Sequence, residues 1–307
     1  MGDHTAHSGD IYGTATVMTG RIVKGIGGFY YVHTGTRTYT CRAKGIFRLD
    51  GTKPLVGDMV DIDVIDDADD TGNITGIRER SNELIRPMVA NVDQAVIIFA
   101  LTDPAPNFLT LDKMILQYKA QGIPVLICFN KEDIVKDEDV AAVLSDYRGS
   151  GCGLFVTSAK ESEGVDELKT HLAGRTSVVA GPSGAGKSSL INCLTGSYVM
   201  QTGEISEKLL RGKHTTRHSE IIPIGEDTYI IDTPGFGSFE LNDIRCEDLS
   251  DLYAEFNDLR SCRFRPCSHV HEPDCAVRSA VEDGLISRMR YDDYVYIYTE
   301  LSKSRRY

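Results

Sequence analysis

The sequence predicts an α/β protein. A helix-covered, mostly parallel sheet is preceded by a small β-barrel of the oligonucleotide-binding type and followed by a mainly helical, metal-binding end. Three observations carry this reading. Residues 11–80 hold short strand-like runs broken by glycines, with no credible helix among them. From about Val89, apolar runs of strand length alternate with helical stretches as far as Asp243. Beyond that point the buried-strand runs stop, and Cys262, Cys267, His269, His271 and Cys275 crowd together. The expected domains are 1–80, 81–244 and 245–307.

Composition narrows the functional classes. At 307 residues the chain has room for two or three domains. Its 41% hydrophobic and 25% charged residues describe globular chemistry and exclude a wholly disordered chain. A net charge of −12 argues against a polycation that coats nucleic acid, though it leaves room for one basic face. No run approaches the 18 apolar residues of a membrane span, and MGDHTAHSGD lacks the apolar core of a secretion signal. The cysteines have metal-ligand spacing rather than that of a disulfide scaffold. A cytoplasmic protein without a membrane partner is expected.

Residues 1–10 read as a polar leader. Strands follow in TATVMTGRIVKG, GFYYVHTG, RTYTCRAKGIF and GDMVDIDVIDD, the last placing Val60, Ile62 and Val64 on one face. Seven cations (Arg21, Lys24, Arg37, Arg42, Lys44, Arg48, Lys53) precede seven aspartates between Asp58 and Asp70. Phe29, Tyr30, Tyr31 and Tyr39 lie among the cations, a composition suited to a nucleic-acid-binding strand face. Residues 92–100 then form a strand buried on both faces. Helices are expected over 108–121, 137–147, 165–173 and from 188, and strands over 124–129, 153–157, 177–180, 220–224 and 228–231. In the last segment a helix is expected near 276–283. The run YDDYVYIYTEL is also read as helix, although residues 294–298 alternate like a strand.

The chemistry concentrates at the strand ends. Residues 181–188, GPSGAGKS, fit G-x-x-x-x-G-K-[ST] between an apolar strand and a helical run. Gly181, Gly184 and Gly186 allow the tight turn. The loop formed with Pro182, Ser183 and Ala185 can aim N–H groups at phosphates, helped by the helix N-terminus at Ser188 and Ser189. Lys187 can reach the β- and γ-phosphates and Ser188 can offer its hydroxyl to Mg²⁺. DTPG at 232–235 follows another apolar strand, so Asp232 can act on the magnesium waters and Gly235 can sense the γ-phosphate. Asn130-Lys131-Glu132-Asp133 closes the 124–129 strand and resembles the guanine motif N-K-x-D. A carboxylate at Asp133 can accept from guanine N1–H and its 2-amino group, which adenine cannot offer. Ser158-Ala159-Lys160, again at a strand end, resembles the partner motif whose backbone N–H meets guanine O6. Lys213-His214-Thr215-Thr216-Arg217 lies where a magnesium-binding switch belongs, with Thr216 the candidate ligand and Thr215 its alternative. The residue after DTPG is Phe236, which cannot orient a water as a glutamine would. Cys262-x4-Cys267-x-His269-x5-Cys275 offers three thiolates and an imidazole for one structural Zn²⁺, with His271 competing for the histidine place.

The guanine motifs come first here, the phosphate loop second and DTPG last, whereas in ordinary small GTPases the phosphate loop comes first and the guanine motifs last. Joining the old chain ends near 172–177 and opening new ones elsewhere would produce that order. With this feature the chain resembles the circularly permuted GTPase family called ribosome small-subunit-dependent GTPase A, over nearly its whole length. The resemblance implies an OB-type barrel, a permuted P-loop GTPase domain and a zinc domain. It implies GTP hydrolysis in late maturation of the small (30S) ribosomal subunit, contact with its 16S rRNA, and turnover stimulated by that subunit. It selects His269 over His271 for zinc and gives His214 the catalytic place. A monomer cycling between GTP and GDP is expected. The alternative is a nucleotide-regulated RNA-binding module with negligible turnover of its own.

Overall fold

The computed structural model describes residues 17–45, 47, 51–85, 87–196, 219–232, 241, 243–257, 259 and 261–304. The chain divides into two compact units, Met1–Ser81 and Asn82–Tyr307.

The first unit is a closed five-stranded barrel. β1 (Val17–Ile26), β2 (Phe29–His33) and β3 (Thr38–Ala43) form an antiparallel meander. β4 (Met59–Asp66) and β5 (Thr71–Ile77) pair antiparallel with each other. β3 joins β5 in parallel, and β1 joins β4 to close the ring. This is the OB-type arrangement. Ile22, Val32, Tyr39, Cys41, Val60, Ile62 and Ile74 fill the interior. The expected alternation holds for Val60 and Ile62, while Val64 is only half-buried near the strand end. β5 was not among the expected strands, because TGNITGI carries two glycines and an asparagine that dilute the apolar signal. Its place comes from pairing on both sides.

The opposite charge blocks of this unit meet one another. Arg37 pairs with Asp67 and Asp70, Lys44 with Asp63 and Arg78 with Asp61. Fully buried Asp58 accepts from the Leu55 N–H at 2.7 Å and from Arg80 Nε and Nη2 at 2.7 and 2.8 Å. Arg42 keeps its guanidinium over the Phe29 ring, 4.6 Å from the centroid. Part of the expected basic face is thus neutralised within the barrel.

The second unit opens with a short hairpin, β6 (Glu83–Leu84) and β7 (Val89–Ala90). The sheet strands are β8 (Gln94–Ala100), β9 (Val125–Asn130), β10 (Gly153–Thr157), β11 (Thr176–Ala180), β12 (Glu220–Gly225) and β13 (Thr228–Asp232). Their spatial order is β10-β9-β8-β11-β13-β12, parallel except for β12. All of β8, β9 and β11 is buried, as near-continuous apolar runs require. The crossovers carry α1 (Phe108–Lys119), α2 (Asp137–Tyr147), α3 (Val165–Leu172) and α4 (Lys187–Thr195). β11 is central in space but follows β8–β10 in sequence, so the sheet is circularly permuted and the strand carrying the phosphate loop lies mid-chain.

The remainder packs on the same unit. Two 3₁₀ segments, Cys246–Leu252 and Ala254–Phe256, lead to α5 (Ala276–Glu282) and α6 (Arg288–Ser304). The run at 294–298 is helical, because Tyr291, Tyr294 and Ile297 recur at three-residue spacing and all are buried. They share a core with Leu249, Tyr253, Phe256, Val277 and Val281, and Leu116 of α1 enters it. Inside it Arg290, 2% exposed, pairs with Asp112 and with Glu255. Its guanidinium also lies 5.1 Å from the Tyr147 ring centroid and 4.7 Å from that of Tyr253.

Candidate nucleotide and metal sites

The phosphate loop leaves β11 and enters α4 through glycines with positive φ. Gly181 has φ +150°, and a Cβ there would stand 2.1 Å from the Ile98 carbonyl oxygen. Gly186 has φ +88°, and a Cβ would stand 2.3 Å from Asn130 Nδ2. That gap lets Asn130 donate from Nδ2 to the Ala185 carbonyl at 2.9 Å. Its Oδ1 accepts from Thr157 Oγ1 and from the Ala159 N–H, both at 3.1 Å. One buried side chain therefore ties together the ends of β9 and β10 and the phosphate loop.

Asp133 is held from two sides. Ser158 Oγ donates to Oδ1 at 2.7 Å, and Lys160 Nζ lies 3.5 Å from Oδ2. The Ser158 hydrogen bond, with Lys160 adding to it, keeps the carboxyl below its ordinary value, so the acceptor form persists. The turn behind it is closed by Ser158 and Glu163, which exchange backbone hydrogen bonds at 3.0 and 3.1 Å. Lys131, at φ +70°, donates from Nζ to the Asp103 carbonyl.

At the phosphate end Lys187 Nζ donates to the carbonyls of Gly181 and Pro182, each at 2.8 Å. Burial lowers its pKa while Asp232 opposes the shift; burial raises Asp232, with Lys187 opposing and Glu220 adding. Parallel pairing sets Asp232 beside Val179, at the start of the loop. Ser188 and Ser189 lie in the first turn of α4. His214, Thr215, Thr216 and Gly235 lie outside the described residues, as does Phe236.

A cavity of about 770 Å³ runs from the two strand-end motifs to the last glycine of the loop and is lined among others by Asn130, Lys131, Asp133, Ala159, Lys160, Gly186 and Ser189. Its size suits a small-molecule ligand. Asn192, Cys193 and Gly196 also line it and were not among the candidates. They stand three, four and seven residues after Ser189, so helical spacing from the phosphate loop was the available signal.

The second cluster brings Cys262, Cys267, His269 and Cys275 together, with ligand atoms all within 4.8 Å of one another. His269 Nδ1 lies 3.6 Å from Cys262 Sγ and 3.4 Å from Cys275 Sγ. The sulfur of Cys275 is 3.9 Å from that of Cys262 and 3.8 Å from that of Cys267. A tetrahedral zinc ion with bonds of about 2.0–2.3 Å needs separations of about 3.5–3.8 Å, so the donor set fits. His271 is exposed and outside the cluster. Glu272 fixes the turn by accepting from the Ser268 N–H at 2.9 Å and from Ser268 Oγ at 2.8 Å. Tyr294 and Tyr291 donate to the carbonyls of Ser268 and His269 at 2.6 and 2.8 Å. With four protein ligands such a site is closed to substrate and serves structure. Among the described residues no helix is long and apolar enough to cross a membrane.

Known proteins share this arrangement. The RsgA GTPase family matches residues 77–242, and the RsgA N-terminal domain matches residues 19–74. A small ribosomal subunit biogenesis GTPase RsgA of Agathobacter rectalis is 50% identical over 302 residues, covering 94% of this chain and 100% of that protein. The protein of that name from Alkaliphilus metalliredigens is 43% identical over 289 residues, covering 94% and 99%. Among solved structures, YjeQ from Thermotoga maritima superposes with a TM-score of 0.79 at 32% identity, covering 93% of this chain and 98% of that one. YloQ, described as a circularly permuted GTPase, gives 0.75 at 35% identity, covering 94% and 96%. Barrel, permuted sheet and cysteine-rich end all fall within the matched span, and the chain belongs to the RsgA GTPase family.

Proposed function

We propose that this protein is a GTP hydrolase that acts in biogenesis of the small ribosomal subunit. The observation that carries this is the convergence of the two guanine motifs and the phosphate loop on one cavity through Asn130. In this reading Asp133 takes the N1 and 2-amino edge of guanine. The Ala159 N–H meets O6, with Asn130, Lys131, Ser158 and Lys160 shaping the pocket. The loop 181–188 wraps the phosphates, Lys187 leaving its carbonyl partners for them, and Ser189 completes the first turn. Ser188 and Thr216 would hold Mg²⁺, Asp232 its waters, and Gly235 would sense the γ-phosphate. Bound magnesium would neutralise charge developing on the phosphates. His214 would orient the attacking water, a task for which the Phe236 side chain has no polar group.

Zinc at Cys262, Cys267, His269 and Cys275 would lock the end region as a rigid element. The barrel, with Phe29 and Arg42 stacked on its surface, and the zinc-bearing end are the surfaces offered to 16S rRNA. The protein works in the cytoplasm, as a monomer on the 30S particle. Phosphate release from GTP, with and without purified 30S particles and with ATP as control, tests the reading. GTP-specific turnover that rises with added particles is expected; equal turnover of ATP, or none with GTP and particles, overturns it.

A further inference from the structure

The helix that follows the phosphate loop also reaches the base end of the cavity. Cys193 lies on the face of α4 that carries Ser189, and six residues beyond Lys187, about 9 Å along the axis. Its thiol donates to the Ala159 carbonyl at 3.1 Å. The N–H of the same residue donates to Asn130 Oδ1 at 3.1 Å. Ala159 is thus held through both backbone groups, its N–H by Asn130 of β9 and its carbonyl by Cys193 of α4. Cys193 itself lines the cavity.

We propose that Cys193 is a positioning residue for guanine. Resting on the guanine reading of this cavity, the thiol holds the Ala159 carbonyl and with it the turn, so that the Ala159 N–H can pass from Asn130 Oδ1 to O6 of the base. It thereby links base recognition to the helix that cradles the phosphates. A thiol is a weak donor, yet its hydrogen bond ties α4 to this carbonyl. The contribution belongs to binding, because the bond of Cys193 is to the Ala159 carbonyl at the base end of the cavity.

The test uses the full chain with Cys193→Ala and Cys193→Ser, titrated with GDP, ADP and the diphosphate of 2-aminopurine riboside, which lacks O6. Cys193→Ala should weaken GDP by about 3- to 10-fold, the range of one neutral hydrogen bond. Cys193→Ser keeps a donor at that position and should bind GDP within about twofold of the parent. The analogue without O6 should lose no affinity in either variant. GDP binding unchanged in Cys193→Ala, an equal loss for the analogue, or failure of serine to restore binding would each overturn the proposal. Failure of the parent itself to prefer GDP to ADP would instead remove the guanine reading beneath it.

Discussion

In the proposed guanine site, Asp133 would supply the charge and Asn130 the framework. The Asp133 carboxylate is kept ionised by Ser158 and Lys160. Because its pKa is lowered, guanine affinity should stay flat on acidification through the ordinary carboxylate range and fall only below it. Titration of a fluorescent GDP analogue from pH 7 down to about pH 3 checks this. Asp133→Asn replaces an acceptor by a donor facing guanine N–H groups, and GTP should bind about 100-fold more weakly or worse. Xanthosine nucleotides, with an oxygen in place of the 2-amino group, should gain affinity in the same variant. Unchanged GTP binding would remove Asp133 from the base site.

At the scale of elements, two clusters fix the end region. In the first, the His269 imidazole faces three thiols while His271 points away. Metal analysis of purified variants should find about one zinc per chain in the parent and in His271→Ala, and a loss in His269→Ala. The second is the buried charge cluster that joins α1, α2 and α6. Arg290→Met would leave Asp112 and Glu255 buried without their counter-charge, a loss of about 3–5 kcal/mol measurable by urea unfolding. Asp293 on α6 adds a pH signature. Burial, with Asp112 nearby, raises its pKa to about 6. The folded state then holds a proton that the unfolded chain releases near pH 4, so this group withdraws stability as pH rises from about 4 to about 6. Asp293→Asn should melt higher than the parent at pH 7 and lose that advantage toward pH 4.

For the whole molecule, chain order matters more than any single contact. Permutation leads the segment after Asp232 toward the cysteine-rich end instead of back into the sheet. A γ-phosphate signal at Gly235 would therefore be passed along the chain to that end region. His214→Ala should leave GTP binding nearly intact and cut particle-stimulated hydrolysis by roughly 10²–10⁴. Single-turnover hydrolysis on saturating 30S particles decides this. A parental rate in the mutant would mean that the activating group comes from elsewhere, including the particle.

Local chemistry was legible wherever it depends on residues adjacent in sequence. The phosphate-loop pattern, the N-K-E-D run, the apolar strands before them and the Cys/His spacing can each be read within a few positions, and the structure has the strands and the gathered Cys/His cluster. The helix over 288–304 was legible only in part, because its tyrosines alternate over a short window and reveal their three-residue spacing only against a core. Contacts between distant segments had no local signature. Nothing in TGNITGI announces a strand, and β5 exists because β3 and β4 each satisfy its backbone groups. Nothing near Arg290 names Asp112 and Glu255 as its partners. The choice of His269 over His271, left open by spacing alone, is made by the turn that Glu272, Tyr291 and Tyr294 hold in place. Sequence by itself determined which chemistry the chain carries. Tertiary structure decided which residues stand close enough to use it, because packing and pairing partners are chosen by the fold in three dimensions.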